Sequence, residues 1–460
     1  MAETLLSVGL DVGTTSTQLI VSRLTVENQA GAFSVPEMEI SQRDVLYRSP
    51  VHFTPLLEGN LVDGEKIREL VEQEYENAGI SREKVDTGAV IVTGETSRRE
   101  NAAAVLEALS ELAGDFVVAT AGPALESILA ARGAGAVEYS RETGKRVFHM
   151  DIGGGTANLA LIDKGKIICT DCLNVGGRLI KVTADGVVTY VSPVLEGLCS
   201  LQPGCRVTAS DLQPTAQLLV EALEMAAGLR EPTELLPRLR SAELGDAPSC
   251  RVEDAVISFS GGVADCIDTR HSPFAFGDMG PILGEAIKNS RLCAGAYRLG
   301  AETIRATVIG AGCHSAQLSG STVYLENVSL PMKNRPVVTL TEEEQTLEED
   351  ALIERIRGKF SREDSPPVLA LPGFSAPDYG KIKALGAALA KALPKPAVVA
   401  VEQDMAKALG QTIAMGQGET KACLCIDRVR LRPGDFLDVG PPVGPALPVV
   451  VKTLILAGKE

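Results

Sequence analysis

The stretches LLSVGLDVGTTSTQLIVS (residues 5–22) and VFHMDIGGGTANLALI (residues 147–162) carry one pattern twice in the same chain. Each is an apolar strand that ends in Asp-x-Gly, followed by a turn of Gly and Thr residues and a second apolar strand. One such hairpin is ordinary, because Gly and Asp are common turn residues. Two copies, each preceded by an apolar strand, favour a shared function for the two turns.

Both turns have the chemistry of a phosphate-binding loop. Backbone N–H groups beside glycine and the hydroxyl groups of threonine can donate to phosphate oxygens, and an aspartate at the strand end can hold the water shell of Mg²⁺. The sequence contains neither G-x-x-x-x-G-K-[ST] nor G-x-G-x-x-G after a strand, so a P-loop and a Rossmann fingerprint are excluded. The candidate residues are Asp11, Gly13, Thr14 and Thr15 in the first hairpin, and Asp151, Gly153, Gly154, Gly155 and Thr156 in the second.

Composition limits the partners of the protein. A net charge of −16 and an aromatic content of 4% argue against nucleic acid and against an anionic membrane surface. We find no run of about 18 apolar residues and no basic, cleavable leader, so we expect neither a membrane span nor secretion. The ten scattered cysteines fit reduced thiols in a cytoplasm. The close pairs Cys169–Cys172 and Cys423–Cys425 have no histidine nearby, which favours buried strand cysteines over a zinc site.

Other elements follow from periodicity and end signals. Residues 63–78 predict a helix that is capped by Asp63 and ended by Gly79. Residues 305–313, RATVIGAGC, are interpreted as an apolar strand that leads to glycine. The last hundred residues alternate strands with helices, which indicates α/β units with some parallel pairing.

In this setting the two hairpins resemble the phosphate-1 and phosphate-2 motifs of the actin-like ATPase superfamily, which includes actin, heat-shock chaperone ATPases and sugar kinases. Residues 121–133 resemble its connecting helix, and SFSGGV (residues 258–263) resembles its adenosine motif, with Gly261 and Gly262 against the nucleotide. The resemblance implies an α/β, actin-like (ribonuclease H-like) fold in which two lobes close on ATP. Asp11 and Asp151 would hold Mg²⁺ through water, and Asp151 is favoured over Asp11 for orienting the attacking water.

The same resemblance suggests three regions. Residues 1–146 would form the first lobe with the phosphate-1 motif and the connecting helix. Residues 147–300 would form the second lobe with the phosphate-2 and adenosine motifs. Residues 301–460 would form a C-terminal α/β region that either completes the second lobe or binds a partner.

A narrower resemblance covers nearly the whole chain. It rests on VTGETSRRENA (92–102), HMDIGGGTANLALI (149–162), FAFGDMGPILGEAI (274–287), RATVIGAGCHSAQLSGSTVY (305–324) and PGDFLDVGPPVGPALPVVVKT (433–453). The sequence is similar to the ethanolamine ammonia-lyase reactivating factors of the ethanolamine-utilisation pathway. This implies an ATP- and Mg²⁺-dependent, chaperone-like reactivase that exchanges damaged for intact adenosylcobalamin in the lyase. Such a factor would hydrolyse ATP slowly and would lie in the cytoplasm or in a bacterial microcompartment.

Two alternatives stay open within the superfamily, a small-molecule kinase and a filament-forming ATPase. A kinase needs a base beside an acceptor pocket, and the sequence nominates none. Neither hairpin contains lysine, so Mg²⁺ and backbone dipoles would carry most of the phosphate neutralisation.

Overall fold

In the computed structural model, the described residues form three large β-sheets and a two-stranded hairpin, with helices packed on them. None of the helices among the described residues is long and apolar enough to cross a membrane. The structure describes residues 3–13, 16–28, 38–57, 61–81, 84–92, 117–120, 123–241, 255–314, 317–319, 322–361, 365–376, 378–433, 435–442 and 446–453.

The first sheet contains the first Asp-Gly hairpin at its centre. Its strand order is β3-β2-β1-β5-β6, and β4 pairs with β2. Strands β1 to β3 are antiparallel, whereas β5 runs parallel to β1 and β6 runs parallel to β5. The strands are β1 (Glu3–Val12), β2 (Ser16–Asn28), β3 (Met38–Arg48), β4 (His52–Phe53), β5 (Thr87–Val92) and β6 (Val117–Thr120).

Helix α1 (Gly64–Ala78) covers one face of this sheet and has the ends that the sequence predicts. The Asp63 side chain accepts a hydrogen bond from the N–H of Lys66 at 3.2 Å, which satisfies one of the unpaired donors of the first turn. Gly79 ends the helix in the left-handed conformation, with φ 66°. Ile67 and Val71 are buried against the apolar strand residues.

The second sheet repeats the topology of the first. Its strands, in spatial order, are β13 (Tyr297–Leu299), β12 (Val256–Ser260), β7 (Val147–Ile152), β8 (Ala157–Asp163) and β9 (Lys166–Leu173). Strand β8 runs antiparallel to β7 and to β9, whereas β12 runs parallel to β7 and to β13. Both sheets thus have the order third, second, first, fourth, fifth, which is the order of the ribonuclease H-like fold. The predicted fold class is confirmed, and the sequence repeat corresponds to the first hairpin of each sheet.

The second sheet and a small hairpin are covered by several helices. The strands are β7 (Val147–Ile152), β8 (Ala157–Asp163), β9 (Lys166–Leu173), β10 (Ile180–Val182), β11 (Val188–Val191), β12 (Val256–Ser260) and β13 (Tyr297–Leu299). The helices are α2 (Pro123–Gly133), α3 (Ala136–Thr143), α4 (Ala209–Ala226), α5 (Leu235–Leu239), α6 (Asp265–Asp268) and α7 (Gly280–Lys288).

Residues 305–313 do not form the strand that the sequence predicts, because they belong to helix α8 (Ala306–His314). Val308 and Ile309 of this helix are buried with Ile20 and other residues of the first sheet. A short apolar run fits a buried helix as well as a strand, so its periodicity could not decide between them. The glycines here permit close helix packing. A Cβ atom on Gly312 would lie 3.0 Å from the backbone nitrogen of Gly9 in β1.

The third sheet has eight strands in the order β14-β21-β20-β16-β17-β18-β19-β15. Strands β16 to β19 are parallel, which confirms the predicted α/β alternation. The strands are β14 (Gln317–Leu318), β15 (Tyr324–Glu326), β16 (Met332–Thr339), β17 (Val368–Leu371), β18 (Ala397–Val401), β19 (Cys423–Asp427), β20 (Asp435–Val439) and β21 (Pro448–Thr453). The helices are α9 (Glu349–Phe360), α10 (Tyr379–Ala392) and α11 (Ala406–Gly416).

The cysteine pairs lie on strands, as expected. Cys172, Cys423 and Cys425 are buried, and the last two are free thiols. Cys169 departs from the expectation of reduced thiols, because its sulfur is in a disulfide.

Candidate functional site

The two Asp-Gly hairpins close in the same way. In the first, the N–H of Gly13 donates to the carbonyl oxygen of Ser16 at 2.9 Å. In the second, the N–H of Gly153 donates to the carbonyl oxygen of Thr156 at 2.9 Å. In each sheet the turn of the hairpin follows the central strand. The aspartate lies two residues before the glycine whose N–H closes the turn. Thr14 and Thr15 lie outside the described residues.

Asp151 is a nearly buried carboxylate at the end of β7. The hydroxyl of Ser260 donates to its Oδ1, and the hydroxyl of Thr307 donates to its Oδ2 at 3.5 Å. Burial raises the pKa of Asp151 to about 6, while these two hydrogen bonds act in the opposite direction. A nearby cation would favour the charged form, so the carboxylate is suited to a site that binds one.

A row of buried polar side chains supports this carboxylate. His149 Nε2 lies 2.9 Å from Ser260 Oγ, and His149 Nδ1 lies 3.1 Å from Ser258 Oγ. Burial, aided by the charge of Arg298, lowers the pKa of His149 to about 3, so the ring is neutral. Because Ser260 donates its proton to Asp151, His149 must carry its own proton on Nε2 and accept from Ser258 on Nδ1.

No role for the side chains of His149, Ser258 and Ser260 was predicted from the sequence. Ser258 and Ser260 are separated by one residue on β12 and therefore lie on the same face of the sheet. Polar residues that alternate within an otherwise buried strand were the signal that could have found them. A parallel neighbour, β7, pairs Ser258 with His149 and Ser260 with Asp151.

Asp11 is more accessible than Asp151 and lies opposite Gln18 in the β1–β2 pair. Gln18 Nε2 donates to the carbonyl oxygen of Ile304 at 3.3 Å. Its Oε1 is buried without a hydrogen-bond partner among the described residues. The segment 304–307 therefore contacts a neighbour of Asp11 through Ile304 and contacts Asp151 through Thr307. The end of the β13–α8 connection and the first turn of α8 thus contact residues of both hairpins.

The glycine pair after β12 lies against the second hairpin. Gly261 has φ 86°, and a Cβ atom there would come within 2.3 Å of the carbonyl oxygen of Ile152. The N–H of Val263 donates to the same carbonyl at 3.1 Å. Gly262 differs, since an added Cβ would meet only the Ile304 side chain, at 3.9 Å. Close packing against the hairpin therefore explains why residue 261 is glycine. Packing does not require glycine at position 262, and its missing side chain leaves space beside the hairpin.

A second layer of backbone holds the turn of the second hairpin. The N–H of Gly177 donates to the carbonyl of Gly153 at 3.0 Å, and the N–H of Arg178 donates to the carbonyl of Gly154 at 2.7 Å. A Cβ atom on Gly176 would lie 2.4 Å from the Gly154 carbonyl oxygen. This Gly-Gly-Arg segment was not predicted from the sequence, although it lies shortly after the end of β9 and its glycine pair was a visible signal.

These features define a protein of the actin-like class, with two sheets of one topology and an Asp-Gly hairpin at the centre of each. The chain belongs to the family of ethanolamine utilisation protein EutA, whose sequence profile matches residues 3–457. The predicted family is therefore confirmed.

Two curated relatives match over almost the full length. The chain is 40% identical over 467 residues to the ethanolamine ammonia-lyase reactivase EutA of Salmonella typhimurium strain LT2, and the alignment covers 98% of each chain. It is also 40% identical over 469 residues to the ethanolamine ammonia-lyase reactivase EutA of Escherichia coli K12, with 98% of each chain covered.

Solved structures show lower similarity. The Ppx/GppA family member of Aquifex aeolicus has 16% identity and a TM-score of 0.37, with 68% of this chain and 88% of the other covered. EutJ of Carboxydothermus hydrogenoformans has 16% identity and a TM-score of 0.34, with 67% and 89% covered.

Proposed function

We propose that this protein is an ATP-dependent reactivase that restores an inactivated, adenosylcobalamin-dependent ethanolamine ammonia-lyase. The observation that carries the proposal is the 40% identity, across 98% of both chains, to two proteins named as reactivases of that lyase. The reactivase would promote exchange of damaged for intact cobalamin, in the cytoplasm or in a bacterial microcompartment.

The proposed ligand is ATP with Mg²⁺, bound where the two hairpins meet the segment 304–307. The backbone N–H groups of both turns would hold the phosphates, and Gly262 would leave room for the nucleoside. Around Gly155 an added Cβ would meet no atom within 4 Å, which supports close approach of a ligand to this turn. When bound, Mg²⁺ would neutralise charge that develops on the phosphates.

The carboxylates of the two hairpins would have partly different roles. Asp11 and Asp151 would hold the ion through water, and Asp151 would orient the attacking water. Its supporting bonds from Ser260 and Thr307 favour a single carboxylate orientation, which positioning catalysis requires. His149 would stay neutral and act on Asp151 only through Ser260.

Hydrolysis would be coupled to a shape change through helix α8. Thr307 lies in the first turn of α8 and donates to Asp151, while the following residues of that helix pack on the first sheet. A change at the phosphates would therefore bias the position of one lobe relative to the other. The lyase can be remodelled only if it binds the two states with different affinity.

The experiment uses lyase inactivated with cyanocobalamin and then incubated with the full chain, ATP, Mg²⁺ and free adenosylcobalamin. We expect activity to return with ATP and not without it. Asp151→Asn should abolish recovery, whereas Asp185→Asn, at an exposed loop, should retain it. Absence of recovery with the unmodified protein would contradict the proposal. Nucleotide-dependent sedimentation of the protein alone would favour the filament-forming alternative, and transfer of phosphate to an added small molecule would favour the kinase.

A further inference from the structure

Arg178 lies directly on the turn of the second hairpin. Its N–H donates to the carbonyl oxygen of Gly154 at 2.7 Å. Its side chain then runs past the same glycine, because a Cβ atom on Gly154 would be 3.2 Å from the Cδ of Arg178. A larger residue at position 154 would displace the arginine, so the turn and this side chain form one unit.

The guanidinium group is held at one end only. Its Nε donates to Oδ2 of Asp278 at 3.2 Å, and the side chain keeps 26% of its surface exposed. Among the described residues neither Nη group of Arg178 has a protein partner. Arginine has five N–H donors in a planar fork, so four remain for a ligand. That fork matches the oxygens of a phosphate group in a bidentate contact.

Asp278 fixes the direction of this arginine. Its Oδ1 accepts a hydrogen bond from the N–H of Gly280 at 2.8 Å, at the start of α7. Burial raises the pKa of Asp278, and the bonds from Gly280 and Arg178 act against that rise. The carboxylate is thus anchored by backbone and can orient Arg178 without occupying its outer donors.

The proposed nucleotide site needs a cation that neither hairpin contains. The hairpin residues 11–16 and 151–156 include two aspartates and no lysine or arginine. A triphosphate would add several negative charges to this region, and phosphoryl transfer depends on neutralising them. Arg178 adjoins the Gly154 turn through both its backbone and its side chain.

We propose that Arg178 is a phosphate-binding residue of this site, oriented by Asp278, which supplies the protein cation that the two hairpins lack. The inference rests on the proposed function, because it assumes that a nucleotide binds at the second hairpin. The alternative role is a purely structural ion pair, which would affect folding and leave nucleotide affinity unchanged.

The test measures the dissociation constants of Mg-ATP, Mg-ADP and adenosine by calorimetry on the full chain. Arg178→Gln should weaken Mg-ATP binding by about tenfold or more, since a charge-assisted bidentate contact is lost. Binding of adenosine should not change. Arg178→Lys should weaken Mg-ATP by about threefold or more, because the charge stays but the fork is lost. The Mg-ATP dissociation constant of Asp278→Asn should lie between those of the wild type and Arg178→Gln.

The matched control is Arg240→Gln. Arg240 pairs with buried Asp171 at 2.7 Å and has a similarly small exposed fraction, 21%, but none of its bonds reaches the hairpin. The Arg240→Gln variant should have a lower unfolding midpoint but an unchanged ratio of the Mg-ATP and adenosine dissociation constants. If Arg178→Gln left the ratio of the Mg-ATP and adenosine dissociation constants unchanged, the inference would be overturned. If the glutamine variant does not fold, the same ratio in Arg178→Lys decides the question. Failure of the wild type to bind Mg-ATP would instead overturn the proposed function.

Discussion

The carbonyl oxygen of Leu129 lies only 2.0 Å from the position that a Cβ atom on Gly310 would occupy. Leu129 belongs to α2 and Gly310 to α8, so the two helices cross with their backbones in direct contact. A second contact of this kind joins Gly133 to the carbonyl of Ala306, at 1.8 Å from an added Cβ. Leu129 and Ala131 of α2 are buried in clusters of the first and the second sheet, respectively. The crossing therefore joins the two sheets.

We expect Gly310→Ala to destabilise the protein by about 2–3 kcal/mol, because its methyl group would force two backbones apart. Gly358→Ala is the matched control. Gly358 is exposed in α9 with no atom within 4 Å of an added Cβ, so alanine should stabilise by about 0.5–1 kcal/mol. Urea unfolding followed by circular dichroism measures both changes. Equal stability of Gly310→Ala and the wild type would show that the helix crossing is not tight.

Local signals predicted much of this fold. The cap at Asp63 and the stop at Gly79 were readable because helix ends depend on a few adjacent residues. The two hairpins were readable because the pattern occurs twice, and the matching sheet orders agree with it.

Features that depend on distant contacts were not predictable in this way. The sequence of helix α8 predicts a strand, since its glycines look like turn residues until Leu129 and Gly9 are placed beside them. The site residues Ser260 and Arg178 were missed for the same reason. Ser260 acquires its role from β7, and Arg178 acquires its role from a turn 24 residues earlier in the chain.

The proposed site should lose Mg-ATP affinity in acid. Burial raises the pKa of Asp151 to about 6, and only the carboxylate can hold a hydrated cation. Affinity should therefore fall by about tenfold per pH unit below pH 6 and level off above pH 7. His149, with its pKa near 3, stays neutral over this range and contributes no slope. Calorimetry from pH 5 to 8 measures the profile. Asp151→Asn is the control, because it keeps any titration that belongs to ATP; an identical acid slope in this variant would exclude Asp151 as its source.

Removal of the Ser260 hydroxyl should move this profile. The bond from Ser260 lowers the pKa of Asp151, so Ser260→Ala should raise that pKa and shift the acid limb toward neutral pH. Ser258→Ala is the matched control, since Ser258 also bonds to His149 but not to Asp151. Both variants should lose stability, because each leaves one nitrogen of the buried imidazole unpaired. The pH profile separates them, and equal profiles would refute the role of Ser260.

In the third sheet, we expect Asp427 to make the stability of the folded protein depend on pH between about 4 and 7. This buried carboxyl at the end of β19 lies beside Asp404, and the Thr322 hydroxyl contacts both carboxylates. Burial, followed by the charge and hydrogen bond of Asp404, raises the pKa of Asp427 to about 7. Asp427 Oδ1 has no hydrogen-bond partner among the described residues. The unfolded chain should titrate near the ordinary value of about 4, so the folded state binds the extra proton between these two values.

The sign of the stability change follows from that difference. Protonated Asp427 makes its full contribution to the free energy of unfolding below pH 4. This contribution is lost as the pH rises through 7. Asp427→Asn keeps the neutral shape, so it should stabilise the protein by about 1–3 kcal/mol at pH 8 and by little at pH 4. Glu402→Gln removes a surface pair of half-buried Glu402 with exposed Arg430 and should show no such dependence. Urea unfolding at both pH values measures the difference. If Asp427→Asn changed the stability equally at pH 8 and at pH 4, the buried carboxyl would have to be ionised without cost in the native protein.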